Sequence, residues 1–218
     1  MNIFNSLGSN YDLKFALKAL FAQNKESYGK KLKELLEKKY EGRSILVYKG
    51  REAIGLALEI LKLPKDSFVA INGFTCFAVY KAIINEGYNA EILDLPNSVD
   101  LNFSEETLQK ALKHNPKIKA VIVQNTLGSP CNIEKIAKIC KENNLILIED
   151  LAHSVGTIYM SRNKAGLPAE ALSPTLHGFG DGAAEAGTIG DFVVLSFSQD
   201  KIIDAVSGGA LIIRHSGK

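Results

Sequence analysis

The sequence predicts an α/β protein with a mostly parallel sheet, and two observations lead to this fold class. Short runs rich in β-branched residues alternate with longer segments whose apolar residues recur at helical spacing. This alternation is typical of parallel strands that are connected by crossover helices. The chain has 218 residues, of which 46% are hydrophobic and 23% charged, and this is enough to build a sizeable core.

Seven runs are predicted to be strands. They are SILVY from Ser44, FVAI from Phe68, AEILDL from Ala90, AVIVQ from Ala120, LILIED from Leu145, FVVLSF from Phe192 and ALII from Ala210. The connection between the sixth and seventh runs is too short for a crossover helix. We therefore expect this last pair of strands to be antiparallel.

Five segments show helical periodicity. They are YGKKLKELLEKKY from Tyr28, REAIGLALEILK from Arg51, FAVYKAIINEG from Phe77, SEETLQKALKHN from Ser104 and NIEKIAKICKENN from Asn132. Ser104 and Asn132 are predicted to be helix N-caps. A weakly periodic stretch rich in Gly, Ala and Pro, from Arg162 to Gly187, is predicted to be a long loop, either a functional lid or a variable insertion.

Charge and composition narrow the classes of partner. The formal net charge of +2 comes from scattered residues without a basic cluster, so we expect no nucleic-acid partner. No apolar stretch is long enough to span a bilayer and the first residues do not resemble a secretory signal, so we expect no membrane partner and a cytoplasmic location. Three cysteines, Cys76, Cys131 and Cys140, form neither an even disulfide framework nor a paired zinc motif.

Sheets of this class bind ligands at the carboxyl ends of their strands. After the first strand, Gly50 precedes a helix that begins near Arg51, and a helix N-terminus beside a glycine is suited to an anion. The alternative is an ordinary strand-to-helix turn. The chain lacks the glycine-rich motifs of dinucleotide and nucleoside-triphosphate sites, which disfavours those two ligand classes.

An acidic pair, Glu149 and Asp150, ends the fifth strand, and His153 follows three residues later. A carboxylate at this place is able to hold a proton on a heterocyclic nitrogen, and His153 is placed to face the same ligand. The alternative is an acid that caps the next turn. Metal ligation is the competing chemistry, but no further ligand stands at a recognisable spacing.

Thr75, Cys76 and Phe77 begin the helix after the second strand, where a side chain is able to pack on a flat ligand. Phe77 is expected to belong to the core. Cys76 is not expected to be a nucleophile, because the sequence identifies no base beside it.

Lys201 lies between the last two strands. A lysine in a site that also holds an acid and an anion-binding helix is what Schiff-base chemistry with an aldehyde cofactor requires. Taken singly, a lysine after a strand is usually a structural loop residue, and only the ordered set of candidate residues favours the chemical role.

Five motifs in one order resemble the DegT/DnrJ/EryC1/StrS family of pyridoxal-phosphate (PLP) aminotransferases, which act mainly on nucleotide-linked keto sugars. They are KGREA, NGFTCFAV, NTLGSP, LILIEDLAHSVG and GTIGDFVVLSFSQDK followed by SGGALII, and they cover Lys49 to Ile213. The resemblance implies the large domain of PLP-dependent transferase fold type I, which has three layers and a seven-stranded sheet with its last strand antiparallel. It also implies an N-terminal helical segment (1–40) and a PLP-binding domain (41–218), without the family's small C-terminal domain.

The resemblance assigns three residues to the cofactor ring. Lys201 matches the lysine that bonds to the cofactor aldehyde and afterwards carries the proton. Asp150 matches the acid that keeps the pyridine nitrogen protonated. His153 stands where the family often has Gln or His, near the ring oxygen.

The resemblance assigns four further residues to the phosphate and the ring face. Gly50 and Arg51 match the Gly-Thr pair that holds the phosphate, with Arg51 in place of the usual hydroxyl residue, and Ser196 matches a serine that also reaches it. Cys76 falls where the family often has an aromatic residue on the pyridine face.

The implied activity is transfer of an amino group from an amino acid, glutamate in our expectation, to a nucleotide-linked keto sugar, by a homodimer. Lysine at position 201 disfavours the related sugar dehydratases, which carry histidine there. Two alternatives stay open: a truncated PLP-binding domain without catalysis, and a non-enzymatic α/β interaction domain.

Overall fold

A seven-stranded sheet forms the centre of the protein. The computed structural model describes residues 12–21, 26–160 and 183–214. The strands of this sheet are β1 (Arg43–Val47), β2 (Phe68–Asn72), β3 (Asn89–Leu93), β4 (Ile118–Val123), β5 (Ile146–Asp150), β8 (Phe192–Ser196) and β9 (Gly209–Ile213). A separate two-stranded sheet pairs β6 (Ile158–Met160) with β7 (Ala183–Glu185). All seven predicted strands are confirmed, with ends that differ by at most about two residues, an ordinary uncertainty of such assignments.

The strand order is β1-β9-β8-β5-β4-β2-β3. The pairs among β2, β3, β4, β5 and β8 are parallel, whereas β9 runs antiparallel to both of its neighbours. The predicted antiparallel last strand is therefore confirmed. Strand β5 lies between β4 and β8 and is parallel to both, so the carboxyl ends of these three strands lie at one edge of the sheet.

Helices cover both faces of the sheet and complete three layers. The described α-helices are α1 (Leu13–Leu20), α2 (Glu26–Tyr40), α3 (Gly50–Leu61), α4 (Phe77–Asn85), α5 (Glu105–His114) and α6 (Ile133–Glu142). One core cluster joins α2, α5 and α6 to the sheet, and a second joins α3 and α4 to the opposite face. No helix in the described ranges is both long and apolar enough to cross a membrane.

Period-two alternation along the strands divides side chains between the two clusters. In β4, Val121 and Val123 belong to the cluster with α6, whereas Ala120 and Ile122 belong to the cluster with α3. Strands that are buried on both faces in this way read as continuous apolar runs, which explains why the sequence revealed them. The same alternation decides which residue at a strand end faces the helices α3 and α4.

Two expectations about local structure are wrong, those for Phe77 and for the predicted loop. Phe77 is 70% exposed rather than in the core, because α4 packs through Val79, Ala82 and Ile83 instead. The predicted N-caps are confirmed: Ser104 accepts from the Thr107 amide, and Asn132 occupies the N-cap position of α6, although its side chain donates to Glu105 and does not accept from the helix. The predicted loop from Arg162 to Gly187 contains β7.

The last of these errors has a simple physical cause. Residues 183–185 form a strand because they pair with Ile158–Met160. Two contacts support this pairing: the ion pair of Lys39 with Glu185, and the hydrogen bond from the Ala186 amide to the carbonyl of Thr157. A short strand that depends on pairing with a distant segment shows no alternation of apolar residues in its own sequence. Residues 161–182 of the predicted loop lie outside the described ranges. The division of the chain at residue 41 stays a prediction.

Candidate active site

A pocket with a cavity volume of about 150 Å³ lies at the carboxyl ends of the parallel strands. All seven residues that the sequence analysis singled out as a site line it, namely Gly50, Arg51, Cys76, Asp150, His153, Ser196 and Lys201. These residues come from five separate regions of the chain and meet because parallel strands end at the same edge of the sheet. The predicted site residues therefore lie together, although their chemical roles remain predictions.

The N-terminus of α3 forms one wall of the pocket. The helix begins at Gly50, and a Cβ atom added there would lie 2.8 Å from the Cβ of Ser196. Strand β8 thus passes so close to the helix start that only glycine fits. The positive end of the helix dipole, the exposed Arg51 and the neighbouring Lys49 give this wall a favourable environment for an anion.

Asp150 forms the floor of the pocket and is 2% exposed. Its Oδ1 accepts a hydrogen bond from the Ala152 amide (3.0 Å), and its Oδ2 accepts one from Gln124 Nε2 (3.1 Å). Burial raises the pKa of Asp150 to about 6, although the two hydrogen bonds and the charge of Lys201 act in the opposite direction. A cationic ligand would favour the ionised form.

Lys201 enters the pocket from the loop after β8, with 15% of its side chain exposed. Its Nζ atom lies 2.9 Å from Asp200 Oδ2 and 3.3 Å from His153 Nε2. The pKa of His153 is lowered, first by burial and then by the charge of Lys201. A neutral His153 is able to accept a hydrogen bond from Lys201 through Nε2, so the two side chains are in direct contact.

Cys76 lies at the N-cap position of α4, on the rim of the pocket. Its side chain is exposed, and within the described residues it forms no disulfide. The thiol therefore offers a small surface at the place where the resemblance implies a ring-stacking side chain.

The two acids at the end of β5 face opposite sides of the sheet. Asp150 shares the face of Ile148 and points toward the pocket, whereas Glu149 is fully buried on the other face. Glu149 accepts hydrogen bonds from the hydroxyl of Tyr159 and from three backbone amides, those of Gly187, Ile189 and Gly190. Glu149 thus holds the segment that leads into β8, and it does not belong to the pocket.

The buried carboxyl of Asp150 predicts a pH-dependent effect on stability. Its pKa is about 6 in the folded chain against an ordinary 3.8, so its contribution to stability is fully present below pH 3.8 and is lost as the pH rises through about 6. Asp150→Asn removes this loss. Urea unfolding without ligand gives the free energy of unfolding of the variant and of the parent chain. The difference between them should shift in favour of the variant by about 1 kcal/mol from pH 5 to pH 8.

The exposed Asp94, changed to Asn, provides the matched control for this measurement. A free-energy difference between Asp150→Asn and the parent chain that is the same at both pH values would contradict the prediction, because it would mean that Asp150 does not change its protonation in this range.

Sequence reasoning missed four residues of the pocket with polar or charged side chains, namely Lys49, Gln124, Ser198 and Asp200. Gln124 directly follows β4, so the rule that ligands bind at the carboxyl ends of strands was sufficient to find it. Lys49 and Asp200 are sequence neighbours of predicted residues. Their location in the pocket depends on how the two loops turn, which has no local sequence signal.

The fold and the pocket define a class of protein, α/β proteins with a mostly parallel seven-stranded sheet and a pocket at the carboxyl ends of its strands. A solved aminotransferase from Psychrobacter cryohalolentis superimposes with a TM-score of 0.69 at 21% identity, over 85% of this chain and 41% of that one, which supports the fold. The sequence profile of the DegT/DnrJ/EryC1/StrS aminotransferase family matches residues 19–217. The chain belongs to this family.

Two curated relatives carry names of sugar enzymes. The chain is 26% identical over 166 residues to GDP-perosamine synthase of Vibrio cholerae, covering 76% of this chain and 38% of that protein. It is 25% identical over 189 residues to UDP-4-amino-4,6-dideoxy-N-acetyl-beta-L-altrosamine transaminase of Campylobacter jejuni, covering 84% of this chain and 44% of that protein. The chain therefore spans less than half the length of these relatives.

Proposed function

We propose that the protein is a PLP-dependent aminotransferase that moves an amino group from an amino acid, glutamate in the first instance, to a nucleotide-linked keto sugar. The observation that carries this proposal is the convergence of Lys201 and Asp150 in one pocket with the N-terminus of α3. An amine, a buried acid and an anion-binding wall are the three groups that this cofactor requires. No two of them are near each other in the sequence.

The residues present fit the cofactor on three observations. The wall formed by Gly50 and Ser196 leaves no room for a Cβ and suits a phosphate at the helix start. Asp150 is a buried carboxyl that a pyridinium would keep ionised. The Nδ1 atom of His153 is buried and has no hydrogen-bond partner within the described residues, so a ring oxygen is a suitable partner.

PLP, when bound, supplies an electrophilic aldehyde and a ring that withdraws electrons. Asp150 would hold the ring nitrogen, the α3 N-terminus with Arg51 and Ser196 would hold the phosphate, and Cys76 would contact the ring face. Lys201 provides the amine for attachment and, once free, a mobile base 3.3 Å from His153 Nε2. Asp200 keeps the lysine close to this histidine by its ion pair.

The substrate class is inferred from the relatives and from Lys201. The two sugar-enzyme names given above support a nucleotide-linked keto sugar as the amino acceptor. A lysine rather than a histidine at position 201 favours transamination over dehydration, because an amine is needed to attach the cofactor and move the proton. We propose the cytoplasm as the location of the protein, because such substrates and reduced thiols occur together there.

A homodimer is part of the same proposal. Three large apolar side chains near the pocket are exposed, Phe74 at 49%, Phe77 at 70% and Leu127 at 70%. Large apolar side chains that are exposed beside a pocket are a feature of protein interfaces. Coverage by a second copy would bury Phe77, whose exposure the core does not explain.

The test of the proposal is a half-reaction in each direction. Purified protein loaded with PLP is mixed with glutamate, and the visible spectrum is followed together with formation of 2-oxoglutarate. In the first half-reaction, we expect the cofactor to take up the amino group of glutamate. In the second, we expect a GDP- or UDP-linked keto sugar to remove this amino group again, whereas pyruvate should not. Reversal by keto acids alone would contradict the substrate class while leaving an aminotransferase.

The two alternatives predict different outcomes of the same experiment. A PLP-binding domain without catalysis takes up the cofactor and leaves glutamate unchanged. A non-enzymatic interaction domain takes up no cofactor. Because the chain spans less than half the length of its relatives, the half-reaction is measured both with this chain and with a longer natural relative as reference.

A further inference from the structure

Gln124 links Asp150 to the loop that precedes α4. Its Nε2 donates to Asp150 Oδ2 at 3.1 Å, and its Oε1 accepts a hydrogen bond from the hydroxyl of Thr75. Gln124 is 4% exposed, so neither end of its amide exchanges freely with water. The chain of hydrogen bonds from Thr75 through Gln124 to Asp150 joins residues that follow β2, follow β4 and end β5.

The orientation of the Gln124 amide is determined by this chain of hydrogen bonds. An ionised carboxylate only accepts hydrogen bonds, so the NH₂ group must face Asp150. The hydroxyl of Thr75 then donates to the carbonyl end. The reverse orientation would place the carbonyl oxygen of Gln124 against the carboxylate, with two acceptors in contact and no donor between them.

The loop that carries Thr75 is itself held firmly. Asn72 donates through Nδ2 to the carbonyl of Phe74 and the hydroxyl of Thr126, and the hydroxyl of Thr126 donates to the same carbonyl. Asn72 is 2% exposed and Thr126 is 4% exposed. Thr75 is therefore a fixed donor rather than a mobile surface hydroxyl.

We infer that Gln124 is a positioning residue, held in one orientation by Thr75, which fixes the carboxylate of Asp150 toward the ligand pocket. The Ala152 amide restrains the other oxygen at 3.0 Å, so both carboxylate oxygens have a set donor and the plane of the group is fixed. This inference rests on the proposed function for the identity of the ligand, but the arrangement itself belongs to the unliganded chain.

Other charged groups around Asp150 also affect its pKa. From the loop after β8 it faces Lys201, whose charge favours the ionised form. The other charged or titratable side chains that line the pocket are Lys49, Arg51, Cys76, His153 and Asp200. Removal of the Gln124 hydrogen bond leaves all of these in place, so its effect is separable from theirs.

The first readout uses the unliganded protein. Carboxyl groups are labelled with ¹³C-aspartate, the Asp150 resonance is identified by its loss in Asp150→Asn, and its titration is followed by NMR. In Gln124→Leu we expect the pKa of Asp150 to rise by about 1 above that of the parent chain, because a hydrogen bond to the ionised form is lost. Gln124→Glu, which places a second acid beside Asp150, should raise it further.

Thr75 provides the test of the link. Thr75→Val keeps the shape but removes the hydroxyl, and it should raise the pKa of Asp150 in the same direction by a smaller amount, whereas Thr75→Ser should retain the parent value. Gln109→Leu, at an exposed position of α5, is the matched control and should leave the titration unchanged. A merely structural role of Gln124 would lower stability without moving the titration of Asp150.

The second readout is cofactor affinity at pH 8. Gln124→Leu should weaken PLP binding by about tenfold, and Gln109→Leu should not. If the parent chain binds no PLP, the proposed function fails, but the NMR titration still decides the present inference. An unchanged Asp150 titration in folded Gln124→Leu would overturn it, and if that variant does not fold, an unchanged titration in Thr75→Val would do the same.

Discussion

Glu149→Leu is expected to lower the free energy of unfolding by about 4 kcal/mol or more. The carboxylate accepts from Tyr159 Oη at 3.0 Å and from the amides of Gly187, Ile189 and Gly190 at 2.8, 2.9 and 2.6 Å. Each buried donor that loses its partner costs about 1–3 kcal/mol, and four donors are affected at once. Urea unfolding of the chain at pH 7 measures the loss.

Two variants sharpen this prediction. Glu149→Gln keeps one acceptor oxygen but turns an NH₂ group toward two donors, so its loss should be intermediate. Glu142→Leu, whose partner Lys138 lies at 3.8 Å on the surface, should cost less than about 1 kcal/mol. If Glu149→Leu were no more destabilising than Glu142→Leu, the four hydrogen bonds would not exist in solution.

The Glu149 prediction matters for the site because the segment it holds leads directly into β8. Gly190 lies two residues before the strand that ends at Ser196, and Lys201 follows five residues later. Partial release of this segment in Glu149→Gln should therefore weaken PLP binding even though Glu149 does not reach the pocket. Titration of PLP into the folded variant measures that weakening.

Lys201→Ala is expected to abolish covalent attachment of the cofactor. With the parent chain, borohydride should fix PLP through one lysine after the amine and the aldehyde have combined with loss of water, and peptide mapping should locate it at Lys201. The visible band that borohydride removes in the parent chain should be absent in the variant. Where the half-reaction with glutamate is measurable, it should fall by about 10²- to 10⁴-fold, the range for loss of a proton-transferring group.

Lys49→Ala is the matched control, because Lys49 lines the same pocket and also carries an amine. Its Nζ lies 5.5 Å from the ring centroid of Tyr48, and Lys49 directly precedes the N-terminus of α3. This variant should bind PLP more weakly but retain the adduct at Lys201. An adduct at Lys49 in the parent chain, or an undiminished adduct in Lys201→Ala, would contradict the assigned role of Lys201.

Most of the fold was predictable because its signals are local. Doubly buried parallel strands require continuous β-branched runs, and their crossover helices require an apolar stripe, so both patterns appear in short windows. The antiparallel direction of β9 followed from the short connection after β8. The strand β7 and the exposure of Phe77 were not predictable, because pairing with a distant strand and the rotation of α4 leave no local period.

The site was predictable only in part, and Glu149 and Asp150 illustrate the limit. The sequence places two acids at a strand end, but only the packing of each sheet face decides that Asp150 points to the pocket and Glu149 to the segment before β8. The position of Gln124 after β4 marked it as a pocket residue, but its hydrogen bonds to Thr75 and Asp150 depend on the tertiary structure.

The sequence by itself determined the α/β class, the strands of the main sheet, the family resemblance and the seven residues that meet in the pocket. These depend on residue type and order, which a linear chain carries directly. Only the tertiary structure decided the roles that depend on distance: the contact of Lys201 with Asp200 and His153, the close approach of Ser196 to Gly50, and the hydrogen bonds from Thr75 to Asp150. Hydrogen bonding and desolvation act over a few ångströms, so they are determined by which residues the fold brings together rather than by their separation along the chain.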